Sequence, residues 1–171
     1  AATVGMLMGL SKEQIKNGIE TFELTKKRMD ITELKNGVTI INDSYNASFE
    51  SMQASLKYLS GLNNKRKIAV LGDMFELGEF SKELHEKVGK EVVKNKIDLL
   101  ICSGENSKFI VESAQREGMQ ENNIFYFDSR EKIAEFIKEN WQSGDAVLFK
   151  ASNGMKFFEI VEELISSEKI Y

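Results

Sequence analysis

The sequence predicts a doubly wound α/β fold, a mostly parallel six-stranded sheet with one antiparallel edge strand, preceded by a short helical segment. Three observations carry this. Continuous apolar runs such as residues 67–71 (KIAVL) and 146–149 (AVLF) suit strands buried on both faces. Amphipathic stretches of helical period stand between these runs, the alternation expected of parallel strands joined by helical crossovers. The pair Asn36-Gly37 separates the first two strand-like runs and calls for a tight hairpin, which makes the antiparallel exception.

Taken in order, Ala2, Met6 and Gly9 form one face of a helix that ends at Gly9-Leu10. Ser11 and Gln14 have capping-box spacing, and Ile15, Ile19 and Phe22 follow at i, i+4 and i+7. Two helices this short cannot bury those faces alone. The chain opens without Met, and its first apolar run is too short for a membrane span and lacks signal-peptide flanks. The opening pair is therefore expected to belong to a longer protein and to pack against chain lying upstream. From Thr25 to Arg28 the period changes. Residues 31–34 and 38–41 read as the hairpin strands, and 67–71, 98–102, 124–127 and 146–149 as the parallel ones. Helices are expected around Met52, Leu56 and Leu59; Leu84, Val88 and Val92; Phe109, Ile110 and Ala114; Ile133, Phe136 and Ile137; and Phe157, Ile160, Val161 and Leu164.

Composition narrows the function. The net charge of −4 comes from scattered residues of both signs, so no basic footprint for nucleic acid or anionic lipid stands out. One cysteine, Cys102, excludes an internal disulfide, and one histidine, His85, excludes a conventional His/Cys zinc cluster. The chain has no proline, against about 5% on average. It contains neither G-x-x-x-x-G-K-[ST] nor G-x-G-x-x-G, so it cannot cradle a triphosphate or a dinucleotide in either standard way. A nucleotide bound here would be held chiefly elsewhere and closed over by this chain.

Ligands of such sheets bind beyond the carboxyl ends of the strands. The residues there are polar: Asp43-Ser44-Tyr45-Asn46, Gly72-Asp73, Ser103-Gly104-Glu105, Asp128-Ser129, and Lys150-Ala151-Ser152-Asn153-Gly154. Acids, amides, a cation and helix amino ends together suit a ligand with phosphate or carboxylate and hydroxyl groups. Helix capping accounts for Asp128, whose spacing to Glu131 is that of a capping box. Asp43 is harder to explain that way, because Ser48 and Ser51 are better placed to start the next helix. Tyr45 suits a ligand platform. His85, in the charged run SKELHEKVGK, reads as a solvated helix residue, Cys102 as inert core, and the stripe through Phe157, Phe158, Ile160 and Val161 as core packing.

Three blocks, taken together, resemble the carboxyl-terminal domain of the Mur ligases. These are Arg28-Met29-Asp30 with residues 38–56 (VTIINDSYNASFESMQASL), residues 68–78 (IAVLGDMFELG) with His85 and Val88-Gly89, and residues 144–156 (GDAVLFKASNGMK). The resemblance runs from residue 1 to about 165, with residues 1–27 similar to the closing helices of the family's central ATPase domain and residues 28–171 to its carboxyl-terminal domain. It implies a Rossmann-like domain of a cytoplasmic, ATP-dependent amide ligase of peptidoglycan synthesis. It points to the branch that joins D-Ala-D-Ala to UDP-N-acetylmuramoyl-tripeptide. By that resemblance the parent also has an amino-terminal domain for the UDP-sugar and a central domain with the P-loop and Mg2+, so that this chain alone is inactive, with no catalytic or metal-binding residue of its own. ATP would activate the tripeptide carboxylate as an acyl phosphate, which the dipeptide amine attacks. The nucleotide-binding residues implied are Arg28, toward phosphate, Asp43, toward the ribose hydroxyls, and Tyr45 and Asn46 beside the nucleotide. Asp73, Lys150, Ser152 and Asn153 are implied to line the acceptor crevice. Ser48-Phe49 stands where the family has Asn-Pro, and Asn153 where it has arginine.

A phosphate-switched receiver-type signalling module is the other reading, since Asp43, Asp73, Ser103 and Lys150 all fall at strand ends. Against it, a receiver carries two adjacent acids after its first strand and Lys-Pro after its last, whereas this chain has Asp43 without an acidic neighbour and no proline.

Overall fold

A computed structural model of the chain describes residues 1–22, 27–63 and 66–168. Thr25 and Lys26, where the period changes, and the last three residues of the second expected unit lie outside them.

Helices α1 (Ala2–Leu7) and α2 (Lys12–Glu20) form the opening pair, and Ser11 and Gln14 make the reciprocal capping box. Neither helix has a buried residue, and Leu7 and Phe22 are 83% and 68% exposed. Strands β1 (Asp30–Glu33) and β2 (Thr39–Asn42) pair antiparallel across the Asn36-Gly37 turn, where Gly37 has φ +83°. That conformation favours glycine. Then follow α3 (Phe49–Ser60), β3 (Arg66–Gly72), α4 (Ser81–Lys94), β4 (Leu99–Ser103), α5 (Lys108–Arg116), β5 (Ile124–Tyr126), α6 (Arg130–Asn140), β6 (Asp145–Lys150) and α7 (Phe157–Glu168).

The sheet order is β1-β2-β6-β3-β4-β5, and every pair except β1–β2 is parallel. Alternation along each strand divides the core into two layers. On one face Ile41, Ala69, Leu71, Leu100, Cys102, Ala146 and Leu148 pack under α3, α4 and α5 through Met52, Leu56, Val88, Val92 and Ile110. On the other, Ile40, Ile68, Val70, Ile101, Val147 and Phe149 pack under α6 and α7 through Ile133, Ile137, Phe157, Ile160 and Leu164. The winding reverses where β6 lies between β2 and β3, which puts the switch point at the carboxyl ends of β2, β6 and β3.

Two local readings need correction. His85 is not solvated: it is 0% exposed. The charged residues around it lie on the outer face of α4, while His85, Val88, Gly89 and Val92, spaced i, i+3, i+4 and i+7, form the inner one. The cap of α6 is Ser129 and not Asp128; Ser129 Oγ accepts from the Lys132 amide, and exposed Asp128 pairs with the Lys132 ammonium at 2.7 Å. Phe158 is half-buried, with the Lys27 ammonium 3.1 Å from its ring centre.

Candidate functional site at the switch point

The β2 strand ends in Asn42, whose Oδ1 accepts from the Ser44 hydroxyl at 2.6 Å and turns the chain. The Asp43 amide still donates to Phe149 O at 2.9 Å, so the following loop starts in register with β6. The Asp43 carboxylate then gathers three donors from three parts of the chain. Its Oδ1 accepts from the Met29 amide at 3.2 Å, and its Oδ2 from the Ser55 hydroxyl and the Lys150 ammonium, each at 2.6 Å. A carboxylate offers about four acceptor positions, so one remains. The Lys150 ammonium, on a residue 1% exposed, also reaches Asn46 O at 3.1 Å and Asp43 O at 3.4 Å.

The Tyr45 amide donates to Lys27 O at 3.0 Å, and the Arg28 guanidinium stands 4.2 Å from the centre of the Tyr45 ring. Arg28, Asp43, Tyr45 and Asn46 thus line one cavity of about 260 Å³, with Lys150 and the Ser48 end of α3. Ser48 and Ser51 cap that end reciprocally, as their positions in the sequence suggested. Chemically the cavity offers a guanidinium fork, an aromatic face, a carboxylate and a helix amino end. A phosphorylated, hydroxyl-bearing ligand fits that set.

The residues assigned to the acceptor fall differently. Asp73 is 4% exposed, and its Oδ1 accepts from the amides of Asn106 and Ser107 at 3.1 and 2.7 Å. Ser152, 4% exposed, accepts the Phe75 amide on Oγ at 2.8 Å and donates its own amide to Asp73 O at 2.9 Å. Asn153 is exposed and starts a short 3-10 turn, Asn153–Met155. His85 belongs to the same framework. Its Nε2 accepts from the Met74 amide at 3.0 Å while Nδ1 faces Ser81 O at 2.7 Å, partners that require the neutral ring with its proton on Nδ1. The spacing to Val88 and Val92 was the signal that could have identified it.

A second cavity, of about 750 Å³, opens beyond the ends of β4, β5 and β6. Ser103, Gly104, Glu105, Asp128, Ser129 and Gly154, all from strand-end loops read as polar in the sequence, line it, together with Tyr126, Arg130 and Lys156, which the sequence did not single out as ligand-binding residues. The Tyr126 hydroxyl donates to Gly104 O at 2.9 Å, tying the β4 and β5 loops together. Among the described residues no group of three or more His, Cys, Asp or Glu side chains could hold a metal ion, and no helix is long and apolar enough to cross a membrane.

Comparison with known proteins identifies the family. Residues 27–153 match the family model described as Mur ligase, glutamate ligase domain. The UDP-N-acetylmuramoyl-tripeptide–D-alanyl-D-alanine ligase of Bacillus subtilis is 34% identical over 168 residues, 98% of this chain and 36% of that protein. Its counterpart in Synechocystis is 31% identical over 97% of this chain and 36% of that protein. Among solved structures, the MurF ligase of Thermotoga maritima in complex with ADP superposes with a TM-score of 0.78 at 29% identity, over 98% of this chain and 36% of that one. The chain thus spans about a third of the length of the relatives it matches. The receiver reading is set aside by a match that takes in the hairpin, the Asp43 loop and the end of β6. With 127 consecutive positions, 27 through 153, under one family model, the chain belongs to the Mur ligase family and carries its glutamate ligase domain.

Proposed function

We propose that this chain is the carboxyl-terminal part of an ATP-dependent ligase that joins D-Ala-D-Ala to UDP-N-acetylmuramoyl-tripeptide in the cytoplasm. Its own task is to close over ATP and to position the incoming dipeptide. The observation that carries the reading is the convergence of Arg28, Asp43, Tyr45 and Asn46 on one cavity at the switch point. Arg28 is suited to a phosphate oxygen, the remaining acceptor position of Asp43 to a ribose hydroxyl, and the Tyr45 face to stacking. The P-loop and Mg2+ belong, on this reading, to the central domain of the parent enzyme, so the isolated chain neither ligates nor binds ATP tightly.

The dipeptide is a zwitterion, and the larger cavity beside the Asn153 turn offers both carboxylates and cations to it. Asp73 and Ser152 support that crevice from behind through their hydrogen bonds, and Asn153 stands at its exposed edge. Arg28→Ala and Asp43→Ala in the full-length enzyme test the reading. Each is expected to abolish most ATP-dependent ligation while the circular dichroism spectrum is retained; unchanged ATP dependence in both would reject the assigned roles.

A further inference from the structure

Lys150 sits in the last position of β6, directly before the Ala151–Gly154 loop, and on position alone it would be assigned to the acceptor crevice. The alternation of the strand says otherwise. Ala146 and Leu148 face α3, and Lys150 continues that stripe, whereas Val147, Phe149 and Ala151 face α7. On the neighbouring strand Ile41 and Asp43 stand in the same alternation. The apolar layer under α3 therefore ends in a polar cluster of Asp43, Lys150 and Ser55, with side-chain exposures of 2% for Lys150 and 13% for Asp43.

An ammonium this buried is tolerated only when its donors are met. Here they are met by Asp43 Oδ2, Asp43 O and Asn46 O, all within the loop that walls the smaller cavity. Those three contacts leave Lys150 no donor for a dipeptide carboxylate. They also fix the carboxylate plane of Asp43, which the Ser55 hydroxyl and the Met29 amide hold from the other sides. Fixed in this way, the fourth acceptor position of Asp43 is set before any ligand arrives.

We propose that Lys150 is a positioning residue for the nucleotide: it acts through Asp43 to aim that carboxylate at one ribose hydroxyl, and it makes no contact with the acceptor dipeptide. This rests on the proposal that Asp43 meets the ribose. The test is made in the full-length enzyme with ATP, 2′-deoxyATP and 3′-deoxyATP as alternative nucleotides. The unaltered enzyme should prefer ATP over one of the deoxy analogues by about tenfold or more in kcat/KM, the worth of one hydrogen bond to a charged group. Lys150→Met should reduce that preference to less than about threefold, because a carboxylate that is no longer aimed gains little from the hydroxyl, and should leave the dipeptide KM within about twofold. Lys150→Arg, which keeps the charge with different geometry, should recover part of the preference. A general loosening of the fold would weaken all three nucleotides alike and leave the ratio unmoved. Should Lys150→Met fail to fold, Ser55→Ala removes another donor to the same carboxylate and should lower the same ratio. An intact ratio in the variants, with a raised dipeptide KM for Lys150→Met, would overturn the inference while leaving the Asp43 reading in place. An unaltered enzyme that uses all three nucleotides equally would overturn the Asp43 reading itself, and the inference with it.

Discussion

Replacing Asp73 by alanine should destabilise the domain by about 3 kcal/mol, because two backbone donors lose the charged acceptor that holds them. The figure follows from the surroundings. Ser107 is 0% exposed and its amide meets Asp73 Oδ1 at 2.7 Å, so its orphaned N–H costs about 2 kcal/mol; the half-buried Asn106 amide, at 3.1 Å, adds about 1. For a chain of 171 residues this lowers Tm by about 6–12 °C. Asp73→Asn keeps a carbonyl oxygen for both donors and loses mainly the charge assistance, so it should cost about 1 kcal/mol. Gly104→Ala attacks the same contact from the other side: at φ +122° an added Cβ would collide with Asp73 Oδ1 and stand 2.6 Å from its Cγ. The assay is urea unfolding of the 171-residue chain followed by far-ultraviolet circular dichroism. An Asp73→Ala chain within about 0.5 kcal/mol of the unaltered one would refute the reasoning. Asp73 would then be free to serve as a direct ligand of the acceptor.

Gly89→Ala adds helix propensity worth about 1 kcal/mol, but its Cβ would strike Ile110 O and stand 2.6 Å from Ser113 Cβ where α4 crosses α5. Overpacking of about 1–3 kcal/mol should win, lowering the urea midpoint. Glu91 has its carboxyl below the ordinary value of 4.5: burial pushes it up, and hydrogen bonds from Lys94, Gln53 and Asn95 with the Lys94 charge outweigh that. A depressed carboxyl contributes stability that is full above its unfolded value and lost as pH falls below it. Glu91→Gln should therefore flatten the stability curve below about pH 4.5 and change little in its slope at neutral pH, read from urea midpoints across pH. Burial, with the nearby Asp73 charge, pushes the Cys102 thiol above its ordinary range. A thiol reagent should label it only as fast as the domain unfolds; labelling that outpaces unfolding would contradict its place in the core.

The strands were legible because both faces of the sheet are covered, which makes each central strand a continuous apolar run bounded by polar residues. The hairpin was legible from Asn36-Gly37, and the start of α3 from Ser48 and Ser51. His85 was hidden by its neighbours: lysines and glutamates on the outer face of α4 dominate the local composition, while its hydrogen bonds to the backbone leave no trace in sequence. The α6 cap was misplaced by one residue because Asp128 and Ser129 are both able caps and only the backbone decides between them. The candidate site was legible in part. Strand-end position marked Asp43, Tyr45, Asn46 and Lys150, but Arg28 lies outside every strand and emerged from the family resemblance alone. That Lys150 turns toward Asp43 rather than toward Asn153 depends on strand parity and on Ser55 across the interface with α3. Tertiary packing sets both. The larger cavity was legible in part: strand-end position marked Glu105, Asp128 and Gly154, but Tyr126, Arg130 and Lys156 come from separate segments, and each reads singly as an ordinary surface residue.

The central claim is that the cavity at the β2–β6 switch point receives the nucleotide, while the dipeptide binds beside it. Initial-rate kinetics of the full-length enzyme carrying Asp43→Ala, with ATP and D-Ala-D-Ala varied in turn, tests it most directly. The account predicts an ATP KM raised about tenfold or more, as the loss of a charged hydrogen bond would cause, with the dipeptide KM within about twofold. An unchanged ATP KM, with the dipeptide KM raised in its place, would contradict it.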